Sequence, residues 1–356
     1  MAKGKYRVGV VGCGRMAGSI DDEMPPGHPG LPYSHAAAYA AVEETVVVAA
    51  ADPAEGKLET FCKRWEVPGR YKDYRQMIEN EKPDIVSVCT RQPLHAEVTV
   101  FAARHGVKGV YCEKAMCSSV AEADAMVAAV EENGVAFNLG VQRRFSGQFQ
   151  TARRLIAEGE LGEITCIVFA GNTLLMETNS HVLDALCYLI GDPPARSVAG
   201  QVTPNVSRST PERPVEYDPV TNRWEVDPFG RWAYMEFEND LAAQLVSPSR
   251  VRLYEWHIYG TEGILHLVDG KEAVLRRGSG NDRTTIPFPD YSRSSPTVGI
   301  VNDLIHGMET GEPTVSNADA SRAVTELLLA WAESHTRGGT AVRLPLSNRS
   351  LYINRP

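Results

Sequence analysis

Short apolar runs alternate with amphipathic stretches through the first 140 residues of the chain. Runs that are apolar at nearly every position are typical of strands covered on both faces of a sheet. A strand, a helix and another strand, repeated in this way, predict a parallel, doubly wound sheet. The predicted strands are Tyr6–Val11, Thr45–Ala51, Asp84–Cys89, Lys108–Cys112 and Val135–Leu139, and the predicted helices are Ala54–Trp65, Tyr74–Asn80, Pro93–His105 and Ser118–Glu132.

The pattern changes near Gly140–Gln142, and strands dominate the second half. Polar or glycine-rich turns separate these strands, which predicts hairpins and an antiparallel sheet. We therefore expect two α/β domains, covering residues 1–141 and 142–356, and a long loop over residues 203–228. The predicted strands are 163–170, 231–237, 241–247, 252–259, 263–268 and 273–277, and the predicted helices are 147–158, 181–190, 297–309 and 318–335.

The first predicted strand runs directly into a G-x-G-x-x-A motif made by Gly12, Gly14 and Ala17. Glycines at the first two positions allow a tight turn and close approach to a pyrophosphate, and the small third residue lets the next helix pack on the strand. A strand before the motif and a helix after it form the context that indicates dinucleotide binding. The expected cofactor-binding loop comprises Gly12, Cys13, Gly14, Arg15 and Met16.

Asp52, at the end of the second predicted strand, is the acidic residue expected to accept a ribose hydroxyl. It lies 40 residues after Gly12, and an inserted loop over Ser19–Ser34, rich in Pro, Gly and Asp, accounts for the excess. A carboxylate at this place favours NAD over NADP. Lys57 or Arg70 could still accommodate a 2′-phosphate, so NADP stays possible.

Polar residues follow the other predicted parallel strands, where ligands of an open sheet bind. We expect the first six of the residues below to contact the cofactor and the two arginines to bind substrate. A charged pair after a strand can equally be a solvated turn, and the histidine can equally be structural. The residues are Thr90, Arg91, His95, Glu113, Lys114, Gln142, Arg143 and Arg144.

Together these motifs resemble the glucose-fructose oxidoreductase/inositol dehydrogenase/rhizopine-catabolism (Gfo/Idh/MocA) family, in order and spacing over nearly the whole chain. The resemblance implies a Rossmann domain, followed by an α/β domain whose large, open, mostly antiparallel sheet builds homodimers or homotetramers. It also implies action on sugars, cyclitols and related polyols with NAD(P). The matching segments are Gly12–Ala17, Thr90–Glu97, Glu113-Lys114, Gln142–Phe145 and His181-x-x-Asp184.

The resemblance also implies roles for individual residues. Lys114 matches the lysine of a Glu-Lys-Pro motif that contacts substrate and nicotinamide, and His181 matches the usual catalytic histidine. Glu177 stands where the family often has an aspartate, and we expect it to take part in catalysis. Asp184 and Asn179 are expected to bind substrate.

The chemistry needs these residue types. Oxidising a secondary alcohol requires a base for the hydroxyl proton while hydride leaves for the nicotinamide ring. A histidine has a suitable pKa, and a lysine can stabilise the alkoxide. Ala115 replaces the proline of the family motif, which raises the question of whether the preceding peptide bond is cis.

Composition narrows the function classes. A net charge of −9 with scattered basic residues argues against nucleic acid as a partner, and no apolar run is long enough to cross a membrane. The chain begins without a signal-peptide pattern, so we expect a cytoplasmic protein.

The seven cysteines form no zinc-type pattern, so we expect no metal. We expect His257 and His266 to be strand residues with their hydrogen bonds satisfied. His28 and His35 flank the inserted loop, where either could reach the substrate, but we expect them to be solvated.

The predicted function is therefore an NAD(P)-dependent dehydrogenase or reductase acting on the CH–OH group of a sugar, cyclitol or sugar acid. Two alternatives stay open. One is a redox-neutral lyase or glycosidase in which tightly bound NAD is reduced only transiently. The other is a dinucleotide-sensing regulator without catalysis, against which the presence of both Lys114 and His181 argues.

Overall fold

The computed structural model describes residues 4–28, 30–171, 173–208, 216–247, 254–278 and 282–354. The helices are α1 (Arg15–Gly18), α2 (His35–Ala41), α3 (Glu55–Arg64), α4 (Tyr74–Glu81), α5 (His95–Arg104), α6 (Val120–Glu132), α7 (Gly147–Ala157), α8 (Asn179–Ile190), α9 (Pro296–Thr310) and α10 (Ala318–Thr336). Short 3₁₀ helices cover Ile20–Glu23, Gln92–Leu94, Gln142–Phe145, Val206–Arg208 and Glu238–Asp240.

The strands are β1 (Tyr6–Val11), β2 (Thr45–Ala51), β3 (Gly69–Tyr71), β4 (Ile85–Val88), β5 (Gly109–Cys112), β6 (Ala136–Leu139), β7 (Ile164–Ala170), β8 (Thr173–Leu174), β9 (Ala195–Thr203), β10 (Arg223–Trp224), β11 (Phe229–Phe237), β12 (Ala242–Val246), β13 (Glu255–Gly260), β14 (Gly263–Val268), β15 (Ala273–Arg277), β16 (Thr284–Ile286), β17 (Val342–Arg343) and β18 (Tyr352–Ile353).

The chain divides into two compact units. Unit 1 contains the described residues up to 117 together with 122–146 and 293–322, and unit 2 contains 118–121, the described residues of 147–292 and those from 323 onward. Helix α9 therefore belongs to unit 1, although it follows the unit 2 sheet in sequence. The limits 1–141 and 142–356, as limits of independently folding domains, stay a prediction.

Unit 1 is built on a six-stranded sheet in the order β3-β2-β1-β4-β5-β6, with every neighbouring pair parallel. This is the doubly wound order, and it confirms the predicted fold class. Successive residues of each strand point to opposite faces and so enter different buried clusters. Val10 of β1 and Ala50 of β2 lie in one cluster, and Val11 and Ala51 lie in the other. Burial on both faces explains why these strands have no polar alternation.

Sequence patterns missed two elements of unit 1. Strand β3 has only three residues, Gly-Arg-Tyr, and therefore carries no apolar run. Helix α2 follows the inserted loop, so the first crossover consists of the four-residue α1, the insertion and then α2. Within the insertion, Asp21 accepts hydrogen bonds from the backbone of Tyr33 (2.7 Å) and Ser34 (3.0 Å), which ties its start to its end.

Unit 2 contains a ten-stranded sheet in the order β16-β15-β14-β13-β7-β12-β11-β9-β17, with β8 also paired to β11. The pairs are antiparallel except β12 with β7, which confirms the predicted mostly antiparallel sheet. Strands β9 and β10 were not predicted, and β10 lies in the predicted loop, of which 209–215 lie outside the described residues. Positions 252–253 of the predicted strand 252–259 also lie outside them.

The two faces of the unit 2 sheet differ in polarity. Trp256 and Leu265 are fully buried on one face, where Trp256 also contacts Phe149 of α7 at a ring-centroid distance of 5.2 Å. On the opposite face, Trp232 and Tyr234 are 38% and 39% exposed. The face that carries Trp256 and Leu265 is thus the buried face of this sheet, with α7 packed on it. Among the described residues, every helix is too short or too polar to span a bilayer.

Candidate active site

The glycine loop follows β1 at the carboxyl end of the parallel sheet. Gly12 has a φ of +89°, and a Cβ atom there would lie 2.7 Å from the carbonyl oxygen of Cys89. Only glycine fits this position without displacing the backbone. By contrast, a Cβ on Gly14 would have nothing within 4 Å, and no side chain caps the helix that begins after it. The loop therefore leaves open space beside the start of α1, which suits a phosphate.

Asp52 holds this loop in place. Its Oδ2 accepts a hydrogen bond from the backbone N–H of Cys13 (2.9 Å), and its Oδ1 accepts one from Ala54 (2.8 Å). The carboxylate is thus more than the expected ribose ligand, because it already connects the end of β2 to the glycine loop. Each oxygen can accept a further hydrogen bond, so the ribose contact stays a prediction.

Arg15 and Met16, predicted to contact cofactor, lie at the start of α1. The Arg15 guanidinium forms an ion pair with Glu23 of the inserted loop, with contacts of 2.5 and 2.7 Å. Arg64 pairs in the same way with Asp22 (2.5 and 2.8 Å). The insertion is therefore fixed to the elements that surround the glycine loop.

His95 lies at the start of α5 and is 1% exposed. Its Nδ1 is 2.8 Å from the carbonyl oxygen of Ala115, and its Nε2 is 3.1 Å from that of Thr90. Because both ring nitrogens are used within unit 1, the structure favours the structural alternative for this histidine. It connects the end of β4 to the segment after Lys114. Thr90 and Arg91 lie between β4 and the 3₁₀ helix Gln92–Leu94, at the carboxyl end of the strand, where the sequence predicts them.

Glu113 lies directly after β5 and is buried beside a histidine that sequence reasoning placed in solvent. His35 is 0% exposed, and its Nε2 lies 2.9 Å from Oε1 of Glu113. The other ring nitrogen is 2.7 Å from Oγ of Ser87, and the ring stacks on Tyr111 at 3.8 Å. The expectation of a solvated His35 is therefore wrong. Ser34 caps α2, so His35 begins a helix packed against the sheet.

The ionised form of Glu113 is favoured in this environment. Burial acts to raise the pKa of the Glu113 carboxyl, but the hydrogen bond and charge of His35, together with the charge of Lys114, outweigh burial and lower that pKa. A negative charge is therefore held next to Lys114, which is half-exposed. The peptide bond between Lys114 and Ala115 is cis, which answers the question that the missing proline raised.

The segment after β6 forms a 3₁₀ helix over Gln142–Phe145. The side-chain nitrogen of Gln142 lies 3.5 Å from Oγ1 of Thr297 in unit 1. Arg144 is 1% exposed and donates a hydrogen bond to the carbonyl of Val315 (3.2 Å). Because its guanidinium is buried and hydrogen-bonded within unit 1, a structural role is the better interpretation for Arg144 than the predicted substrate binding. Arg143 is half-exposed and keeps its predicted role.

In unit 2, Asp227 fixes the segment before α8. Its two carboxylate oxygens accept hydrogen bonds from the backbone N–H groups of Met176 (2.8 Å) and Glu177 (2.9 Å). The predicted catalytic Glu177 is thus positioned through its backbone, by a residue that sequence reasoning missed. Asp227 lies in the predicted long loop, where no motif marks it.

Helix α8 carries the remaining predicted residues and begins at Asn179, two residues before the predicted start. Asn179 is 1% exposed and accepts a hydrogen bond from Thr173 Oγ1 (2.6 Å), so it is built into the fold. His181 is half-exposed, and Asp184 is 1% exposed one turn further along. Spacing of three residues places these two on the same side of the helix.

Comparisons with known proteins agree with this geometry. Residues 6–141 match the family model GFO_IDH_MocA, described as an oxidoreductase family with an NAD-binding Rossmann fold. The family assignment that the motifs suggested is therefore confirmed for the part of the chain that carries the glycine loop.

Two curated Gfo/Idh/MocA-like relatives illustrate the range of similarity. Myo-inositol 2-dehydrogenase of Thermotoga maritima is 27% identical over 157 residues, which cover 44% of this chain and 42% of that enzyme. D-glucoside 3-dehydrogenase of Escherichia coli is 25% identical over 259 residues, which cover 67% of this chain and 69% of that enzyme. The chain thus aligns with less than half of the first enzyme's length.

Solved structures extend the likeness over both units. Levoglucosan dehydrogenase, in a complex with NADH and levoglucosan, superimposes with a TM-score of 0.77 at 19% identity and covers 96% of this chain and 100% of that chain. Aldose-aldose oxidoreductase from Caulobacter crescentus gives a TM-score of 0.73 at 22% identity, with 96% and 100% covered. At these identities the likeness shows that the fold is shared.

Proposed function

We propose that this protein is an NAD(P)-dependent dehydrogenase or reductase that moves hydride between nicotinamide and a secondary alcohol or ketone of a sugar, cyclitol or sugar acid. The observation that carries the proposal is the glycine loop of unit 1. In this loop Gly12 packs closely against the backbone of Cys89, and Asp52 accepts a hydrogen bond from the Cys13 N–H. The names of the relatives, which include an inositol, a glucoside and an apiose dehydrogenase, support the substrate class.

The residues present fit a dinucleotide. The open space at Gly14 admits a diphosphate, and the backbone N–H groups at the start of α1 favour its charge. Asp52 favours the ribose of NAD, while the exposed Lys57 and Arg70 leave NADP possible. When bound, nicotinamide supplies the hydride acceptor or donor.

The chain's own residues supply the proton chemistry. We assign the half-exposed imidazole of His181 as the base that takes the substrate hydroxyl proton, with Glu177 assisting it. The ammonium of Lys114 donates a hydrogen bond to the substrate oxygen and stabilises developing negative charge. Glu113, held ionised by His35, places a negative charge next to Lys114. Asp184 and Arg143 are assigned to hold the remaining polar groups of the substrate.

The test is a screen of NAD and NADP reduction against sugars, inositols and aldonic acids, with Lys114→Ala and His181→Ala as variants. Each variant should lower kcat by about 10²- to 10⁴-fold, the usual contribution of one proton-transfer group, and leave NADH affinity within about twofold. Unchanged rates in both variants would contradict the assigned roles. Product formed without net NADH would instead support the redox-neutral alternative.

The exposed face of the unit 2 sheet supports a second part of the proposal. Trp232 and Val246 pair across β11 and β12, and Tyr234 lies on the same face, all 38–43% exposed. Exposed large apolar residues in one patch mark contact surfaces. We propose that a second copy of the chain covers this face, giving a homodimer or homotetramer. Light scattering of Trp232→Glu should show a smaller assembly than the unaltered protein.

A cytoplasmic location is also part of the proposal. None of the seven cysteines, all of which lie in the described part of the chain, is in a disulfide. Reduced thiols are the rule in reducing compartments.

A further inference from the structure

Three side chains that can bind a metal meet on the face of the unit 2 sheet that also carries Trp232 and Tyr234. Glu255 and His257 lie two residues apart on β13 and so share a face, and His266 lies directly opposite His257 on β14. Their side chains are 26%, 31% and 21% exposed, in the same order. The hairpin therefore holds two imidazoles and one carboxylate together at a half-buried position. We call this the His–Glu cluster.

The distances within the His–Glu cluster are those of ligands around a common point. One ligand atom from each residue lies within 4.8 Å of the others. Glu255 Oε2 is 3.3 Å from His266 Nε2 and 3.7 Å from His257 Nε2. A tetrahedral zinc ion, with bonds of about 2.0–2.2 Å, separates its nitrogen and oxygen ligands by roughly 3.3–3.6 Å. The carboxylate–imidazole distances already lie close to that range.

Hydrogen bonding accounts for only one of these distances. His266 Nε2 and Glu255 Oε2, 3.3 Å apart, form a hydrogen bond, whereas the 3.7 Å separation between Glu255 and His257 is beyond any useful hydrogen bond. The two imidazole rings stack, with centroids 4.3 Å apart and planes 12° from parallel. Because an imidazole lone pair lies in the plane of its ring, one of the two rings must turn about its side-chain bonds for both to bind the same cation.

We propose that Glu255, His257 and His266 form a binding site for a divalent transition-metal ion of the zinc type. Two histidines and one carboxylate are a known ligand set for zinc, and three protein ligands leave a fourth position open. Imidazole donors select zinc, cobalt or nickel over magnesium and calcium, which prefer oxygen ligands.

No metal-ligand pattern is visible in the sequence, because Glu-x-His and a histidine nine residues later become neighbours only through the β13–β14 hairpin.

The chain offers a matched control for this proposal. His306 of unit 1 also lies near a glutamate, with its Nε2 3.2 Å from Oε2 of Glu312. Among the described residues, no third histidine, cysteine or carboxylate completes a cluster with this exposed pair, so it tests whether any surface His–Glu pair suffices.

The experiment is calorimetric titration of Zn²⁺ into the full chain after treatment with a chelator, with Mg²⁺ titrated in parallel. We expect the unaltered protein and His306→Ala to bind Zn²⁺ alike. His266→Ala and Glu255→Gln should bind it at least tenfold more weakly, and none of the proteins should show comparable Mg²⁺ binding. Circular dichroism establishes whether each variant is folded. If His266→Ala fails to fold, Glu255→Gln still tests the proposal, because glutamine keeps the shape of the glutamate side chain.

Cobalt provides a second readout of the same site. Co²⁺ bound to the unaltered protein should give the intense visible absorption of a four-coordinate ion, and both cluster variants should lose it. Zinc affinity that is unchanged in both cluster variants, or equally reduced in His306→Ala, would overturn the proposal, as would an unaltered protein that binds no Zn²⁺. None of these outcomes depends on nicotinamide chemistry, so the hydride-transfer proposal is tested separately.

Discussion

Each unit of this protein uses one buried aspartate to hold one functional segment, but the two aspartates reach their segments differently. Asp52 directly follows β2, which is next to β1, and its carboxylate holds the glycine loop through Cys13. Asp227 follows β10 and holds the backbone at Met176 and Glu177, about fifty residues earlier in the chain. Both carboxylates accept two backbone N–H groups at 2.8–2.9 Å.

The difference shows what makes a residue recognisable in a sequence. Asp52 sits at a fixed place in a strand–helix–strand unit, where the glycine motif indicates its partner. Asp227 has no fixed place in a sequence motif, because the tertiary fold of unit 2 brings its partners, the backbone N–H groups of Met176 and Glu177, next to it. Its position beside Glu177 is visible only in the structure. The comparison also predicts separate effects of mutation, on cofactor binding in unit 1 and on turnover in unit 2.

The largest effect should come from the glycine loop itself. Gly12→Ala places a Cβ 2.7 Å from the Cys89 carbonyl at a φ of +89°. An L-residue in this region costs about 1–2 kcal/mol before the clash is added, so we expect a destabilised unit 1 without measurable NADH binding. Urea unfolding and fluorescence titration measure the two effects.

Gly14→Ala is the matched variant, because its Cβ would meet no protein atom within 4 Å. Its unfolding free energy should stay within about 1 kcal/mol of the unaltered protein. NADH affinity should still fall at least about tenfold, since the added methyl group occupies space needed by the pyrophosphate. Full NADH affinity in Gly14→Ala would show that the dinucleotide does not bind across this loop.

The next effect should separate the two aspartates. Asp227→Ala leaves two backbone N–H groups without their acceptor, at about 1–3 kcal/mol each if they stay buried. We expect a lower unfolding free energy and at least tenfold lower kcat, because Glu177 is no longer positioned. NADH affinity should be unchanged. A variant with full kcat would disconnect the Asp227 contact from catalysis.

Asp52→Ala should have the opposite profile. It removes the acceptor of the Cys13 N–H and the carboxylate expected at the ribose, so the ratio of kcat/KM for NAD to that for NADP should fall about tenfold, as for the loss of one charged hydrogen bond. Asp73→Ala is the control, because Asp73 also accepts a backbone hydrogen bond, from Arg75 at the start of α4. An equal change of cofactor preference in both variants would refute a specific role for Asp52.

The smallest effect concerns acid stability. The pKa of Glu113 is lowered in the folded state from its usual value of 4.5, so the carboxylate contributes stability above pH 4.5, and that contribution is lost as the pH falls below this value through the folded pKa. Glu113→Gln should therefore lose less stability than the unaltered protein between pH 5 and the acid limit. Parallel urea unfolding curves at several pH values measure this difference, and identical acid dependence would contradict it.

Much of unit 1 could be predicted from sequence. Strands β1 and β2 have the predicted limits, because residues apolar on both faces leave a continuous run. Short elements without such a run, such as β3, gave no signal. In unit 2, β14 and β15 have their predicted limits, while β9 was missed because its apolar and polar residues do not form a continuous pattern.

The candidate site divides in the same way. The glycine loop and Glu113-Lys114 follow from motifs and strand ends, which are local features. His35 could not be assigned, because its burial against Glu113 depends on a contact between residues 78 positions apart. A serine cap followed by a histidine at the start of α2 was the one signal that could have placed it in a helix.

The account depends most directly on dinucleotide binding by unit 1. Titration of NADH and of NADPH into the purified full chain, followed by nicotinamide fluorescence, should show saturable binding of NADH, tighter than that of NADPH and lost in Gly14→Ala. Absence of binding for both dinucleotides in a folded protein would contradict the account.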